Sequence, residues 1–208
     1  MEIYLTPTVA LESSHPVILE TAHKLTLGCE NDAERVAKLF YFVRDSISYN
    51  IYMISVVLDD FKAATILERG KGYCVQKAVL LATLGRAAGI PSRLAFAAIR
   101  NHKMPDHLVE RLGQNIAPRH GYNQFFIEGK WVTTAPTFDR KLCEKIGVPA
   151  VEFDGIHDAT LPEKNLIGEP YIEYVEKFGH FADLPLDWIA AKISKVWGTD
   201  KRAWLDKQ

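Results

Sequence analysis

The segment that most constrains the fold is CVQKAVLLATLGRAAGI, from Cys74 to Ile90, the most hydrophobic helical stretch of the chain. A glycine loop, Gly70-Lys71-Gly72, precedes it, and Gly89 and Pro91 stand at its end. Glycine is favoured where a helix ends in a left-handed conformation, and proline cannot continue a helix. The pattern therefore predicts a helix that begins at Cys74, stops near Gly89 and packs on the rest of the core.

The other elements follow from capping, periodicity and turn residues. Asn31 with Glu34 three residues later is a capping pattern, and apolar residues then recur at helical spacing, so a helix is predicted over 32 to 46. Residues 47 to 61 are expected to be extended or irregular. Short helices are predicted over 62 to 68 and 106 to 112, and strands over 93 to 99, 121 to 127 and 131 to 135.

The region after residue 139 is predicted to be mainly helical. Four aromatic residues there recur at helical spacing and are expected to pack C-terminal helices onto the core: Tyr171, Tyr174, Phe178 and Phe181. Helices, then antiparallel strands, then helices indicate the α+β class. We expect a single domain over 1–208, with a core over 32–140 and a helical extension over 141–208.

Composition excludes several function classes. The chain has 208 residues, and its 25 Lys and Arg against 26 Asp and Glu give a net charge of −1, so we expect no nucleic-acid partner. The apolar runs are too short to span a membrane, and Glu2 stands where a signal peptide needs basic residues, so a cytoplasmic location is expected. The three cysteines are odd in number and form no CxxC pair, which disfavours disulfides and zinc. We expect no metal and no cofactor, and interpret the acidic stretch from 154 to 158 as a polar loop.

Cys74 is the candidate nucleophile. A cysteine in the first turn of a helix lies at the positive end of the helix dipole, next to free backbone N–H groups. Both favour the thiolate over the thiol, which predicts a reactive cysteine with a lowered pKa. The alternative interpretation is a small apolar residue at a helix start, because free cysteines are often buried.

A nucleophilic thiol needs a base, and His120 is the candidate, at the start of the first strand of a predicted hairpin. If Glu128-Gly129 is a two-residue turn, His120 faces Thr137. Its diagonal neighbours on the same sheet face are then Ala135 and Asp139. Asp139 is therefore predicted to reach the outer imidazole nitrogen and to fix its tautomer.

Two stretches together resemble the transglutaminase-like family: GKGYCVQKAVLLATLGRAAGIPSRL and HGYNQFFIEGKWVTTAPTFD. The resemblance implies a papain-like fold in which a nucleophile helix packs on an antiparallel sheet, with Cys74 and His120 as catalytic residues. The family's aspartate before Pro-Thr is Ala135 here, so the site is either a Cys–His dyad or uses Asp139 instead. Gln124 stands where the family often carries Glu.

The resemblance implies acyl transfer at an amide bond through a thioester. Gly72, Tyr73 and Gln124 are expected to position the substrate or its oxyanion. The expected substrate is a peptide or an amide-containing small molecule, and hydrolysis by a protease or amidase is the favoured reaction. Alternatives are a transglutaminase, an N-acyltransferase, or, from another class, a catalytically silent binding module on the same fold. The sequence does not indicate an oligomeric state.

Overall fold

The structure is a computed structural model that describes residues 1–197. Its helices are α1 (Pro16–Thr26), α2 (Asp32–Ser46), α3 (Ala63–Arg69), α4 (Cys74–Ala87), α5 (Asp106–Leu112), α6 (Arg140–Ile146) and α7 (Leu186–Trp197). Its strands are β1 (Ser48–Tyr49), β2 (Lys71–Gly72), β3 (Ser92–Asn101), β4 (Ile116–Ile127), β5 (Lys130–Thr134) and β6 (Ile172–Phe181). Within these residues, no helix is both long enough and apolar enough to cross a membrane.

Helix α4 is the centre of the fold, and its residues from Cys74 to Arg86 are buried. Helices α1, α2 and α3 pack against it, as do strands β3 and β4. The contact with the sheet is close because residue 85 is glycine: a Cβ there would lie 2.4 Å from a ring carbon of Phe125. The predicted packing of the helix that begins at Cys74 on an antiparallel sheet, and with it the α+β class, is confirmed.

The sheet has the order β5-β4-β3-β6 and its neighbouring strands are antiparallel. The hairpin register agrees with the prediction, since Ile127 pairs with Lys130. Glu128 and Gly129 both have positive φ, 49° and 81°, as expected for the two-residue turns that suit the twist of a hairpin.

The prediction of a mainly helical C-terminal third is wrong for residues 172–181, which form β6 and pair with β3. Helices α6 and α7 do form there. The aromatic spacing misled because β6 is irregular: the pairing with β3 shifts twice, and Gly179 has a φ of 82°. A bulge breaks the strict alternation of a strand. The half-buried side chains of β6 therefore fall at Tyr174, Phe178 and Phe181, a spacing that looks helical.

Lys77, one turn after Cys74 in α4, is a fully buried amine. Its Nζ donates hydrogen bonds to the carbonyl oxygens of Arg44 (2.9 Å) and Ile47 (2.5 Å), and so caps the end of α2. Burial lowers the pKa of Lys77 to about 7, although Asp139 and Asp45 act in the opposite direction. The α2 cap is therefore held by an amine that loses its charge near neutral pH.

We expect the free energy of unfolding to rise with pH between about pH 7 and 8.5. In that window the unfolded chain holds the proton of Lys77 and the folded chain releases it, so the slope approaches about 1.4 kcal/mol per pH unit. Urea titrations of the wild type and Lys77→Met test this, because the variant should lose the slope. Lys24→Met, at an exposed position, is the control and should keep it. Parallel wild-type and Lys77→Met profiles would contradict the assignment.

Candidate active site

Cys74 is the first residue of α4, and the loop before it is held by side chains of the helix. Tyr73 is the extended N-cap, and its backbone N–H donates to Oε1 of Gln76 at 3.1 Å. Gln76 in turn donates to the carbonyl oxygen of Asp60. A Cβ at Gly72 would lie 3.1 Å from Cβ of Gln76, so glycine there lets the loop lie against the helix. The thiol is thus placed at a fixed helix N-terminus.

Strand β4 brings His120 to this helix end, through Gly121. A Cβ at residue 121 would lie 3.0 Å from Cα of Val75, so only glycine allows this approach. The backbone N–H of Gly121 acts to lower the pKa of the Cys74 thiol. Sequence reasoning missed this residue, although a glycine inside a strand is itself a signal of close backbone approach. The prediction that His120 starts its strand is also off, because β4 begins at Ile116.

His120 is 1% exposed and lies among aromatic rings. Its imidazole stacks on Tyr122, with centroids 5.9 Å apart, and meets the edge of Tyr174 at 6.0 Å. Burial lowers the pKa of His120 to about 3, so the ring is neutral at physiological pH. Nε2 is buried and has no hydrogen-bond partner within residues 1–197.

Cys74 is also buried, at 8% exposure. Burial raises the pKa of its thiol to about 11, against hydrogen bonds from the backbone amides of Gly121, Val75 and Cys74 itself. The lowered pKa predicted from the helix N-terminus is therefore not what the folded chain gives. The helix end does supply N–H groups, but loss of water from the closed site outweighs them. The resting pair is a neutral thiol and a neutral imidazole.

Asp139 lies in a different environment from the predicted one. Its Oδ1 accepts from the backbone N–H of Leu142 at 3.0 Å, as the N-cap of α6, and its Oδ2 accepts from Tyr49 at 2.8 Å. The pairing of β4 with β5 ends at Thr134, and the next amide, that of Ala135, donates to Ala159 instead. The extrapolated register therefore does not reach residue 139, and neither carboxylate oxygen is bonded to His120.

Thr137, which the register placed opposite His120, does lie at the site. It is 1% exposed and lines the same cleft as Cys74 and His120. Its hydroxyl is buried and, in the part of the chain that the structure describes, unpartnered. Of the residues that line this cleft, His120 and Thr137 thus hold buried polar atoms, Nε2 and Oγ1, that have no partner within residues 1–197.

Of the other predicted site residues, Gln124 points elsewhere. Its Oε1 accepts from Arg93 at 2.8 Å and its Nε2 donates to Thr133 at 3.2 Å. It borders a polar cavity of about 810 Å³ whose walls include Tyr122 and Tyr174 but neither Cys74 nor His120. Tyr73 stays at the site, because it lines a small cavity of about 80 Å³ beside Cys74.

The cleft that holds Cys74 and His120 has a volume of about 390 Å³. The segment between β3 and β4, which carries α5, forms one of its walls. Most of its lining is apolar: Tyr49, Ile51, Ile99, Met104, Pro105, Leu108, Ala117, Phe138, Leu142 and Ile146. It is thus a small-molecule-sized site around a nucleophile and a base.

The stretch from 154 to 158 is a turn. Asp154 accepts from the backbone of Ile156 and His157, and from Nδ1 of His157 at 2.6 Å. Over residues 1–197, no three His, Cys, Asp or Glu side chains are grouped as metal ligands would be.

Known structures show where this fold occurs. The chain is similar to "a Putative Cysteine Protease from Cytophaga hutchinsonii", with 17% identity and a TM-score of 0.55 over 95% of this chain and 48% of that one. It also matches the periplasmic domain of TgpA from Pseudomonas aeruginosa, with 17% identity and a TM-score of 0.43 over 62% and 46% of the two chains. The chain thus spans about half the length of these neighbours.

No curated protein matches the chain. The sequence pattern of the transglutaminase-like superfamily matches residues 19–136. That range includes the helix with Cys74, the strand with His120 and the position of Ala135, and it covers more than half of the chain. The chain belongs to the transglutaminase-like superfamily.

Proposed function

We propose that the protein is an enzyme that cleaves an amide bond through a thioester on Cys74, with His120 as general acid and base. The observation that supports this most directly is the shared cleft, in which a thiol at a helix N-terminus and an imidazole from the adjacent strand stand together. Membership in the transglutaminase-like superfamily agrees with it. The proposed substrate is a peptide or an amide-containing small molecule.

Both groups start neutral, so the proton moves as the bond forms. His120 takes the thiol proton while the sulfur attacks the amide carbon, and the carbonyl oxygen becomes an oxyanion. The backbone N–H groups of the first turn of α4, which act on the sulfur in the resting state, would hold that oxyanion. As the C–N bond breaks, His120 returns the proton to the leaving amine and the thioester remains. Water then attacks the thioester, its proton passes through His120 to the sulfur, and the acid is released.

Product analysis distinguishes hydrolysis from amine transfer. The protein is incubated with a peptide and amide library, with and without a primary amine, and ammonia, free amines and acids are measured. We expect free acid to dominate even when the amine is present. A new amide as the main product would make the protein a transglutaminase or an N-acyltransferase.

A silent binding module is the second candidate, because Ala135 replaces the usual acid and Nε2 of His120 lacks an acceptor among residues 1–197. Intact-mass measurement after incubation with activated acyl esters separates the two. An enzyme gains one acyl group on Cys74 and loses it again with time. A chain that never gains the acyl group on Cys74 is a binding module.

The role predicted for Asp139 as the orienting acid has its own test. Asp139→Ala removes the anchor of Tyr49 and α6, and if Asp139 also orients His120 during turnover, the variant should lose roughly 10²-fold in turnover. Ala135→Asp in that background separates the two effects. Recovery of turnover without recovery of Tm assigns the loss to orientation of His120. Recovery of neither assigns it to the lost cap.

A further inference from the structure

We infer that the group transferred by Cys74 is an apolar acyl group, and that the cleft of about 390 Å³ beside the thiol is its binding pocket. This rests on the proposed function and names its substrate class. The acyl chain would extend from the thioester between the α5 segment and the residues that follow β5. There it would contact Met104, Leu108, Phe138 and Ile146.

The charges around Cys74 argue against a cationic occupant. Within the described chain, no acidic residue lines the cleft or the small cavity of about 80 Å³ beside Cys74. A cationic acyl group would therefore be buried without a counter-ion, which is strongly unfavourable. Lys103 is the charged residue of the cleft, and its Nζ lies 3.8 Å from Glu169. In the small cavity, which Lys192 also lines, the guanidinium of Arg119 stacks 3.8 Å from the ring centroid of Trp188.

Several polar lining groups are already used inside the protein, whereas Oγ1 of Thr137 and Nε2 of His120 are unpartnered within residues 1–197. The side-chain oxygens of Asn50 and Asn101 accept from the backbone amides of Tyr52 and Lys103. The hydroxyl of Tyr52 is 3.0 Å from Nε2 of His107. A carboxamide such as that of glutamine would find few unpaired partners in the cleft besides Thr137 and His120, which the reacting carbonyl itself would use, so its burial would be costly. An alkyl or aryl chain needs no polar partner.

The size of the cleft sets the expected chain length. A volume of about 390 Å³ lies at the lower end of the range of small-molecule sites, roughly 300–1,000 Å³. It suits an acyl chain of several carbons or one with a phenyl ring. Each buried methylene is worth about 0.8 kcal/mol, so acylation should speed up roughly fourfold with each added CH₂ until the cleft is filled.

The experiment uses p-nitrophenyl esters as activated acyl donors on the full chain. Acetyl, butyryl, hexanoyl and 3-phenylpropionyl esters form the apolar series, while 4-aminobutyryl and 4-carbamoylbutyryl esters are matched polar donors. Acylation of Cys74 is followed by nitrophenolate release and by intact mass, with Cys74→Ala as background. Hexanoyl should react roughly 10²-fold faster than acetyl, because it adds four methylenes, and butyryl at least about tenfold faster than 4-aminobutyryl. If hexanoyl reacts faster than 3-phenylpropionyl, the natural acyl group is a linear chain. If 3-phenylpropionyl reacts faster, the natural acyl group is aromatic.

Two variants locate the pocket. Met104 lines both cavities, so Met104→Glu should slow hexanoyl transfer by about tenfold or more and favour the 4-aminobutyryl donor. Val109→Glu is the matched control on α5, because Val109 lines neither cavity, and it should leave the preference unchanged. Equal rates for acetyl, carbamoylbutyryl and hexanoyl donors on Cys74 would overturn the apolar pocket, while the proposed enzymatic function would still stand. Absence of acylation by every donor would overturn the proposed function together with it.

Discussion

Replacing Cys74 with alanine should abolish amide cleavage and leave the fold intact. Removing the nucleophile of a catalytic unit costs about 10⁴-fold or more in turnover. The structural cost is small because a helix-start position tolerates alanine and Cys74 forms no disulfide. Turnover and Tm of Cys74→Ala are measured side by side, with the buried thiol variant Cys143→Ala as the control for loss of a sulfur atom.

His120→Gln should reduce turnover by about 10²–10⁴-fold, the range for loss of a general base. The pH profile is informative as well, since burial lowers the pKa of His120 to about 3 and raises that of Cys74 to about 11. Wild-type activity should therefore stay flat between these values, wherever the protein remains folded. Full activity of Cys74→Ala would contradict the role of Cys74 as the nucleophile. A wild-type profile that falls off near pH 6 would contradict the neutral pair.

Gly121→Ala should reduce activity because the added methyl group displaces β4 from α4. The added Cβ would lie 3.0 Å from Cα of Val75 and 3.2 Å from its Cγ2, so β4 must move away from α4. Overpacking of this kind costs about 1–3 kcal/mol in stability. A displacement of about 1 Å in a catalytic group can cost 10²-fold in rate. Urea unfolding and kcat/KM are measured on the same sample.

Val75→Ala provides the matched test of that contact. In the double variant the Cγ2 contact is gone while the backbone contact remains, so stability should recover in part and the two single effects should not add. Strict additivity, or a Gly121→Ala variant with wild-type kcat/KM, would show that the close approach of β4 does not set the site.

The sequence was informative where structure depends on neighbouring residues. Helix α2 begins at Asp32 because the Asn31 side chain accepts from Glu34, as the capping pattern predicted. The hairpin formed at Glu128-Gly129 in the predicted register. Helix α1 was missed, although Pro16 at its first position is a recognised start signal.

The features that could not be predicted depend on distant contacts. Strand β6 forms because β3 has an edge for it to pair with, and its bulged pattern imitates a helix. The carboxylate of Asp139 accepts a hydrogen bond from the backbone N–H of Tyr49, which is 90 residues away in the chain. The high pKa of the Cys74 thiol follows from its burial. That burial depends on parts of the chain that are distant in sequence, so no local motif predicts it. Cys74 and His120 could be predicted to lie together because each stands in a recognisable sequence motif, and the structure places both in one cleft.

Strand β6 has a consequence for how this domain can be divided. It lies outside residues 19–136, yet Tyr174 from this strand touches the His120 ring and the strand pairs along β3. A fragment trimmed to the matched residues would leave the backbone groups of β3 open, as a template for pairing with other chains. It would also let water reach the imidazole and return its pKa toward the ordinary value. We therefore expect the shortest fragment that folds on its own to extend at least to the end of β6. The range of sequence similarity, residues 19–136, is shorter than that fragment.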